Sequence, residues 1–495
     1  MSYNGVMRDD ELRRLLALSN PWWNSAANGG DRLAWTQTHR LLTNRRQYDI
    51  GYRSHVLDDI ATGTLDDSLV VLNGPRRVGK SVAMLDAIAT MCTRQDVDSR
   101  QLIHVPCDGM RDRDLRRVIT LGRALTTSVD TTGPHRRVWF FDEISDLPGW
   151  TSILKQARDL TGFGDDTVIA TGSRWAGAED IYGNLMAGRA GTGNRRRVRQ
   201  LLPMSFRDYL VSTNPSLPQP PVVHPADLQS ADTQSTLREL MFRVDEYDLA
   251  WQDYLTCGGF PRAVAEYTGT GAVSRAFSAD VLGWLRTDID PDSSQPSVPL
   301  LLAELASRTA SPLNIRHVTD VLNYGSRGML DRRLNRMINS HAVLLCRQVG
   351  DDGRPLSGAQ HKLYLVDPIL AWTPSRTNPS LPEPDFTQLT EAVLAVTLAR
   401  RLDDLTEGRW ADDDTIGYAR TGSGAEVDLA PVLVATPSGS ALTTPIESKW
   451  VDTSWQGEAK TINGKYGRGI LATKSILDLD HNVWAVPAPL VALLL

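Results

Sequence analysis

The sequence predicts an α/β protein: a parallel sheet with a phosphate-binding loop, then helices, then a second α/β domain near the C-terminus. Three observations predict it. Gly74-Pro75-Arg76-Arg77-Val78-Gly79-Lys80-Ser81 stands between an apolar run and a helical pattern. From about residue 61, short apolar runs alternate with segments of helical period, the pattern of parallel strands joined by helices. Between residues 426 and 450, two segments alternate polar and apolar residues as strands do, and both carry acidic side chains.

Residues 1–60 read as helical and hold Asn20-Pro21-Trp22-Trp23, an aromatic cluster suited to packing. Leu69-Val70-Val71-Leu72 is the first buried strand, and Met84, Ile88 and Met91 mark one face of the helix that follows. Between them, Gly74 and Gly79 let the chain curl so that backbone N–H groups in the loop, with Pro75, Arg76, Arg77 and Val78, face a phosphate. Lys80 then reaches the β- and γ-phosphates, and the Ser81 hydroxyl holds Mg²⁺ at the positive end of the helix. The ligand class expected is a Mg-nucleoside triphosphate. Leu102-Ile103-His104-Val105 is the next strand, and Leu115, Val118, Ile119, Gly122 and Leu125 follow at helical spacing. Val138-Trp139-Phe140-Phe141 is a buried strand ending in Asp142 and Glu143. A lone Asp-Glu pair is usually a solvated strand end; downstream of a phosphate loop it reads as a hydrolysis site. Asp142 would hold Mg²⁺ through water and Glu143 would polarise the attacking water. Thr167-Val168-Ile169-Ala170 leads to Thr171-Gly172-Ser173, where Ser173 is placed to sense the γ-phosphate. Arg189 is the arginine expected to reach a neighbouring subunit's nucleotide, with Arg195, Arg196 and Arg197 as competitors.

At 495 residues the chain has room for about three domains. Its net charge of −6 excludes a surface coated in basic residues, so nucleic acid must be met by local patches. The four cysteines lack metal-ligand spacing, and no run of ~20 apolar residues appears, so a cytoplasmic protein without a membrane span is expected.

With these pieces in order, the chain resembles the AAA-type ATPases of bacteria and archaea that carry a C-terminal restriction-endonuclease-like domain of unknown function. The resemblance rests on Gly74 to Ser81, Phe140-Phe141-Asp142-Glu143, Thr171-Gly172-Ser173 and Gly188-Arg189. It rests also on Leu202-Pro203-Met204-Ser205-Phe206-Arg207-Asp208-Tyr209, Gly258-Gly259-Phe260-Pro261 and Lys362-Leu363-Tyr364-Leu365-Val366-Asp367. Pro-rich stretches at 215–225 and 374–384 read as boundaries. The expected domains are an N-terminal helical segment (1–60), an ATPase core (61–215), a helical lid (226–295), a winged helix (296–373) and a nuclease-like domain (385–495). Arg327, Arg332, Arg333 and Arg336 decorate the third winged-helix helix, the one that enters the major groove in DNA-binding versions; in others such a domain is a spacer.

In Ile446-Glu447-Ser448-Lys449-Trp450, Glu447 and Lys449 share one strand face, and Asp428 lies nineteen positions earlier in the preceding strand. Asp…Glu-x-Lys is the arrangement of the PD-(D/E)XK nuclease superfamily. Asp428 and Glu447 would bind Mg²⁺ or Mn²⁺ at a phosphodiester, Lys449 would orient water, and Glu391 would add a helix carboxylate. Gln456 and Lys460 are weaker candidates for substrate contact. The leading expectation is an ATP-driven, self-associating enzyme, ring-forming in one version, whose metal-dependent nuclease domain acts on nucleic acid, DNA more than RNA. The alternative is an ATP-dependent regulatory or scaffold protein whose nuclease fold only binds DNA or protein.

Overall fold

The computed structural model describes residues 7–27, 31–128, 136–160, 162–290, 297–308, 311–322, 324, 326–410 and 415–495. The chain divides into two compact units, residues 1–202 and 203–495.

The first unit is built on five parallel strands: β1 (Leu69–Asn73), β2 (Leu102–Pro106), β3 (Val138–Asp142), β4 (Thr167–Gly172) and β5 (Val198–Gln200). Their order is β2-β3-β4-β1-β5, so β4 separates the phosphate-loop strand from the strand carrying Asp142. Every residue of β1, β3 and β4 is buried, which explains their unbroken apolar runs: helices cover both faces of a parallel sheet. Trp139 stacks on Phe141 with ring centroids 5.8 Å apart, and Phe163 meets both edge-on. Gly74 has φ +155°, and a Cβ there would lie 2.0 Å from the Leu201 carbonyl oxygen, so only glycine lets β1 turn beside the chain leaving β5.

β2 is an outer strand, and the N-terminal segment covers it. Asn20 donates from its amide to the His104 carbonyl (2.9 Å) and accepts from the His104 N–H (2.6 Å). The indole N–H groups of Trp22 and Trp23 both donate to the Leu102 carbonyl at 2.9 Å. The aromatic cluster therefore satisfies backbone groups that an outer strand otherwise leaves open to other chains.

The second unit holds a seven-stranded mixed sheet in the order β14-β13-β12-β9-β8-β6-β7. Its strands are β6 (Val343–Gln348), β7 (His361–Leu365), β8 (Ile416–Arg420), β9 (Glu426–Ala430), β12 (Ile446–Ser448), β13 (Gly469–Thr473) and β14 (Val483–Pro487). β10 (Leu433–Thr436) and β11 (Gly439–Leu442) form a separate hairpin. The helices Ser297–Ser307, Ile315–Val321 and Arg327–Asn339 precede the antiparallel pair β6–β7. That pair is no separate module, however. β6 runs parallel to β8, so strands from 296–373 and 385–495 share one sheet.

Neither Pro-rich stretch is a loose linker. Val223 donates to the Leu494 carbonyl (2.7 Å), and the Pro225 carbonyl accepts from Thr444 (2.8 Å). Pro374 lies inside the helix Pro368–Thr377. The helices of 226–295 belong to this same unit.

Three of the motif segments meet at one point of the second unit. Met204 donates its N–H to the Gly259 carbonyl (2.7 Å), and the Asp367 carboxylate accepts from the N–H groups of Gly259 (2.7 Å) and Ile369 (2.9 Å). A Cβ on Gly259 would stand 2.1 Å from the Met204 carbonyl oxygen. Among the described residues, no helix is long and apolar enough to cross a membrane.

Candidate functional site

The loop from Gly74 ends where the helix Lys80–Thr93 begins, with Gly79 at φ +103° supplying the left-handed turn. Lys80 is buried, and its ammonium donates to the carbonyls of Gly74 and Pro75, each at 3.0 Å. It also lies 3.3 Å from Glu143 Oε1. Burial pulls this ammonium below the usual lysine range, with Glu143 opposing. The Ser81 hydroxyl donates to Asp142 Oδ1 (2.9 Å), and the Thr171 hydroxyl donates to the same oxygen at 2.9 Å. Thr171 Oγ1 in turn accepts from the Glu143 N–H at 3.0 Å. Glu143 is held at φ +54°, a conformation that costs energy in a residue with a side chain. Burial pushes the Asp142 carboxyl up, but His104, Ser81 and Thr171 outweigh it and leave it below the usual carboxylate range.

Thr171, bridging Asp142 and Glu143, is the residue that sequence reasoning passed over in favour of Ser173. It could have been found: β4 lies between β1 and β3, so its last inward hydroxyl must face both. Ser173 is fully buried, its N–H donates to Ser145 Oγ (3.2 Å), and its hydroxyl has no partner. Arg76 of the loop pairs with Asp146 at 3.3 Å, which also takes Arg174 at 2.6 Å. Arg189 is not at the loop; its guanidinium pairs with Asp159 at 2.5 Å. Arg195 and Arg199 tie down the end of the N-terminal segment through Asp59, and Arg195 also pairs with Asp66 just before β1.

Residues 66–210 match the sequence family described as an AAA domain. This stretch is an AAA-type ATPase-like domain. No curated protein matches the chain. Among solved structures it is similar to a Walker-type ATPase of Pyrococcus abyssi, at 15% identity and a TM-score of 0.36, covering 62% of this chain and 90% of that one. It is similar also to the Orc1 protein of Aeropyrum pernix, solved in complex with DNA, at 13% identity and a TM-score of 0.28, covering 72% and 92%.

The oxygen set of the AAA-type domain fits Mg²⁺. Ser81, Asp142 and Thr171 offer hard oxygen donors, and Glu143 Oε2 is buried without a partner.

The second unit brings Glu391, Asp428, Glu447 and Lys449 into one network whose three carboxyl groups are buried. Glu391 projects from the helix Phe386–Leu405, Asp428 from β9 and Glu447 from β12. The Asp428 N–H donates to Glu447 Oε2 (3.2 Å), and the Ser448 N–H donates to Asp428 Oδ2 (3.1 Å). Lys449 Nζ lies 2.8 Å from Glu447 Oε1. Burial, and then the Asp428 charge, push both Glu391 and Glu447 up to about 7.

Two members of the network were not expected as site residues. Lys362, fully buried on β7, lies 3.0 Å from Asp428 Oδ1, 3.2 Å from Glu391 Oε1 and 3.4 Å from Glu426 Oε2. Tyr364 donates its hydroxyl to Glu391 Oε1 at 2.7 Å. Their spacing of two, on a strand face, is the signal that singled out Glu447 and Lys449. The metal expected at Asp428 and Glu447 does not fit this arrangement, because an ammonium already faces each carboxylate, Lys362 at Asp428 Oδ1 and Lys449 at Glu447 Oε1.

The arginines expected to face DNA divide. Arg333 is buried, pairs with Asp290 at 2.5 Å and stacks over the Tyr324 ring at 4.5 Å; Arg336 donates to the Ile289 carbonyl at 3.0 Å. Both anchor the helix. Arg327, Arg332 and Arg336 are exposed, and Arg327, paired with Asp331 at 3.6 Å, lines a cavity of about 800 Å³ with Asp331, Arg316, Arg347 and His361. Gln456 and Lys460 line another, of about 430 Å³, beside Trp455 and His481.

Proposed function

We propose that this chain is an ATP-binding and ATP-hydrolysing switch whose second unit engages nucleic acid. The observation that carries the first half is the bond chain Ser81–Asp142–Thr171–Glu143, with Lys80 held against Glu143. Ser81 and Asp142 would hold Mg²⁺, which would supply neutralisation of phosphate charge when bound. The incoming phosphates compete for the Lys80 ammonium and draw it from Glu143. The freed Glu143 carboxylate then takes a proton from water as the water oxygen bonds to the γ-phosphorus. The bond to the β–γ bridging oxygen breaks, leaving ADP and phosphate. Arg189 serves a neighbouring subunit's nucleotide in a homo-oligomer, once released from Asp159.

For the second half, Arg316, Arg327 and Arg347 line one cavity together with Asp331, which pairs with Arg327 at 3.6 Å, and their net positive charge is the local patch that an acidic chain needs in order to hold a phosphate backbone. Because Lys362 fills the carboxylate pair, the reading that fits the geometry is binding rather than cutting. The nuclease reading is kept as the second, since Glu391, Asp428, Glu447 and Lys449 do converge.

The test compares the wild type, Lys80→Ala, Glu143→Gln and Asp428→Ala. Lys80→Ala should lose ATP binding, and Glu143→Gln should bind ATP but hydrolyse it at least about 100-fold more slowly. ATPase rates equal to wild type in both variants would overturn the reading. Metal-dependent DNA cleavage lost in Asp428→Ala would make the nuclease reading the right one.

A further inference from the structure

A lysine ammonium has about the size and charge placement to stand where a cation would bridge two carboxylates, and Lys362 stands there. Its three carboxylate partners come from the helix Phe386–Leu405 and from β9, while Lys362 itself comes from β7. The side chain is fully buried, so no water competes for it, and the Tyr418 ring lies 5.4 Å from its nitrogen. Tyr364, two residues along the same strand face, fixes Glu391 by a 2.7 Å hydrogen bond. A buried charge is tolerated only when paired, so the buried carboxyl groups of Glu391, Asp428 and Glu447 require resident positive charge. Lys449, 35% exposed, reaches Glu447 from the rim and leaves the Glu391–Asp428 pair to Lys362.

We propose that Lys362 is the built-in cation of the C-terminal carboxylate site, filling the place between Glu391 and Asp428 and excluding a divalent ion from it. The site is then complete without metal. It becomes a divalent-ion site only when the ammonium is removed or displaced, and an anionic ligand such as a phosphodiester is the chemistry that would draw it out. This inference does not rest on whether the domain cleaves anything, nor on the ATPase reading.

Removing the lysine should convert the pocket. Without its ammonium, Glu391 and Asp428 lose their shared counter-charge in a buried space, while Glu426 keeps Arg420, and Mn²⁺ or Mg²⁺ becomes the counter-charge. The experiment uses the full chain without nucleotide and reads thermal unfolding and Mn²⁺ binding by electron paramagnetic resonance. Lys362→Ala should melt below the wild type and regain at least about 5 °C in millimolar Mn²⁺. Wild type and Lys362→Ala/Asp428→Asn should shift by less than about 1 °C, and only Lys362→Ala should gain a bound ion.

A wild-type protein that binds one Mn²⁺ tightly, and loses it on Asp428→Asn, overturns the proposal. So does a folded Lys362→Ala that shows no Mn²⁺ effect. Should Lys362→Ala fail to fold, the wild-type titration alone decides: no ion bound supports the inference, and an ion lost on Asp428→Asn refutes it.

Discussion

At the scale of single residues, both sites spend a lysine on carboxylates, but in opposite ways. Lys80 is bonded to two carbonyls and Glu143, partners that a triphosphate can replace. Lys362 is bonded to carboxylates from a helix and a strand, partners fixed by the fold. The first is therefore a ligand-responsive contact and the second a structural one until something displaces it. Thr171 gives a sharp residue-level prediction. Its hydroxyl donates to Asp142 and accepts from the Glu143 N–H, so it sets both the position of Asp142 and the left-handed turn of Glu143. Thr171→Val keeps the shape and leaves a buried N–H without its acceptor. The expected result is a kcat lower by about 10- to 100-fold with KM within a few-fold, and a stability loss of about 1–3 kcal/mol. Ser173→Ala, which removes a hydroxyl with no partner, should cost less on both counts. Steady-state kinetics with urea unfolding of both variants tests the pair.

At the scale of elements, legibility followed periodicity and local motif. Four of the five parallel strands were readable because each is a short apolar run bounded by loop residues, and the phosphate loop because glycine, lysine and serine fall at fixed offsets; β5, Val198-Arg199-Gln200, is short and polar and carries no such signal. The Pro-rich stretches misled because proline marks a break in regular structure without saying whether the chain is held. Here Pro225 is a hydrogen-bond acceptor of the second unit. Lys362 and Tyr364 were visible only as part of a motif, since a lysine in a strand is ordinarily solvated and its partners lie in later strands and a helix. The same motif ends in Asp367, whose role is architectural: it caps the helix Pro368–Thr377 and holds the Gly258–Gly259 turn. Burial pushes its carboxyl up to about 6, while the Ile369 and Gly259 N–H groups pull the other way. A raised folded-state value means the native chain keeps a proton that the unfolded chain has lost. Stability from this group is full below the unfolded value of 3.8 and is lost as pH rises through about 6, a change of about 3 kcal/mol. Glu391 and Glu447 act in the same direction up to about 7. Denaturant unfolding of Asp367→Asn at pH 4 and pH 7 should show a shallower fall than the wild type, because the amide does not titrate.

At the scale of the whole molecule, two compact units carry two chemically distinct sites on one chain, and the proposed switch requires that they be coupled. Coupling has a thermodynamic signature independent of mechanism. If ATP binding changes the affinity of the second unit for DNA by some factor, DNA must change the affinity for ATP by the same factor. A useful switch needs at least about a 5-fold effect, or about 1 kcal/mol. The measurement is the Kd for duplex DNA with and without a non-hydrolysable ATP analogue, and the Kd for that analogue with and without DNA, all at one salt concentration. Lys80→Ala should bind DNA as the nucleotide-free wild type does and show no analogue effect. Arg327→Ala should weaken DNA binding and flatten its salt dependence by about one counterion, because a lost phosphate contact releases one fewer ion. Arg333→Ala should instead destabilise the helix it anchors to Asp290 and Tyr324, without that signature in the slope at temperatures where the chain stays folded. Equal affinities with and without nucleotide would show the two units to be independent binding modules, and the AAA-type domain would then need a partner other than the site beside Lys362 to act upon.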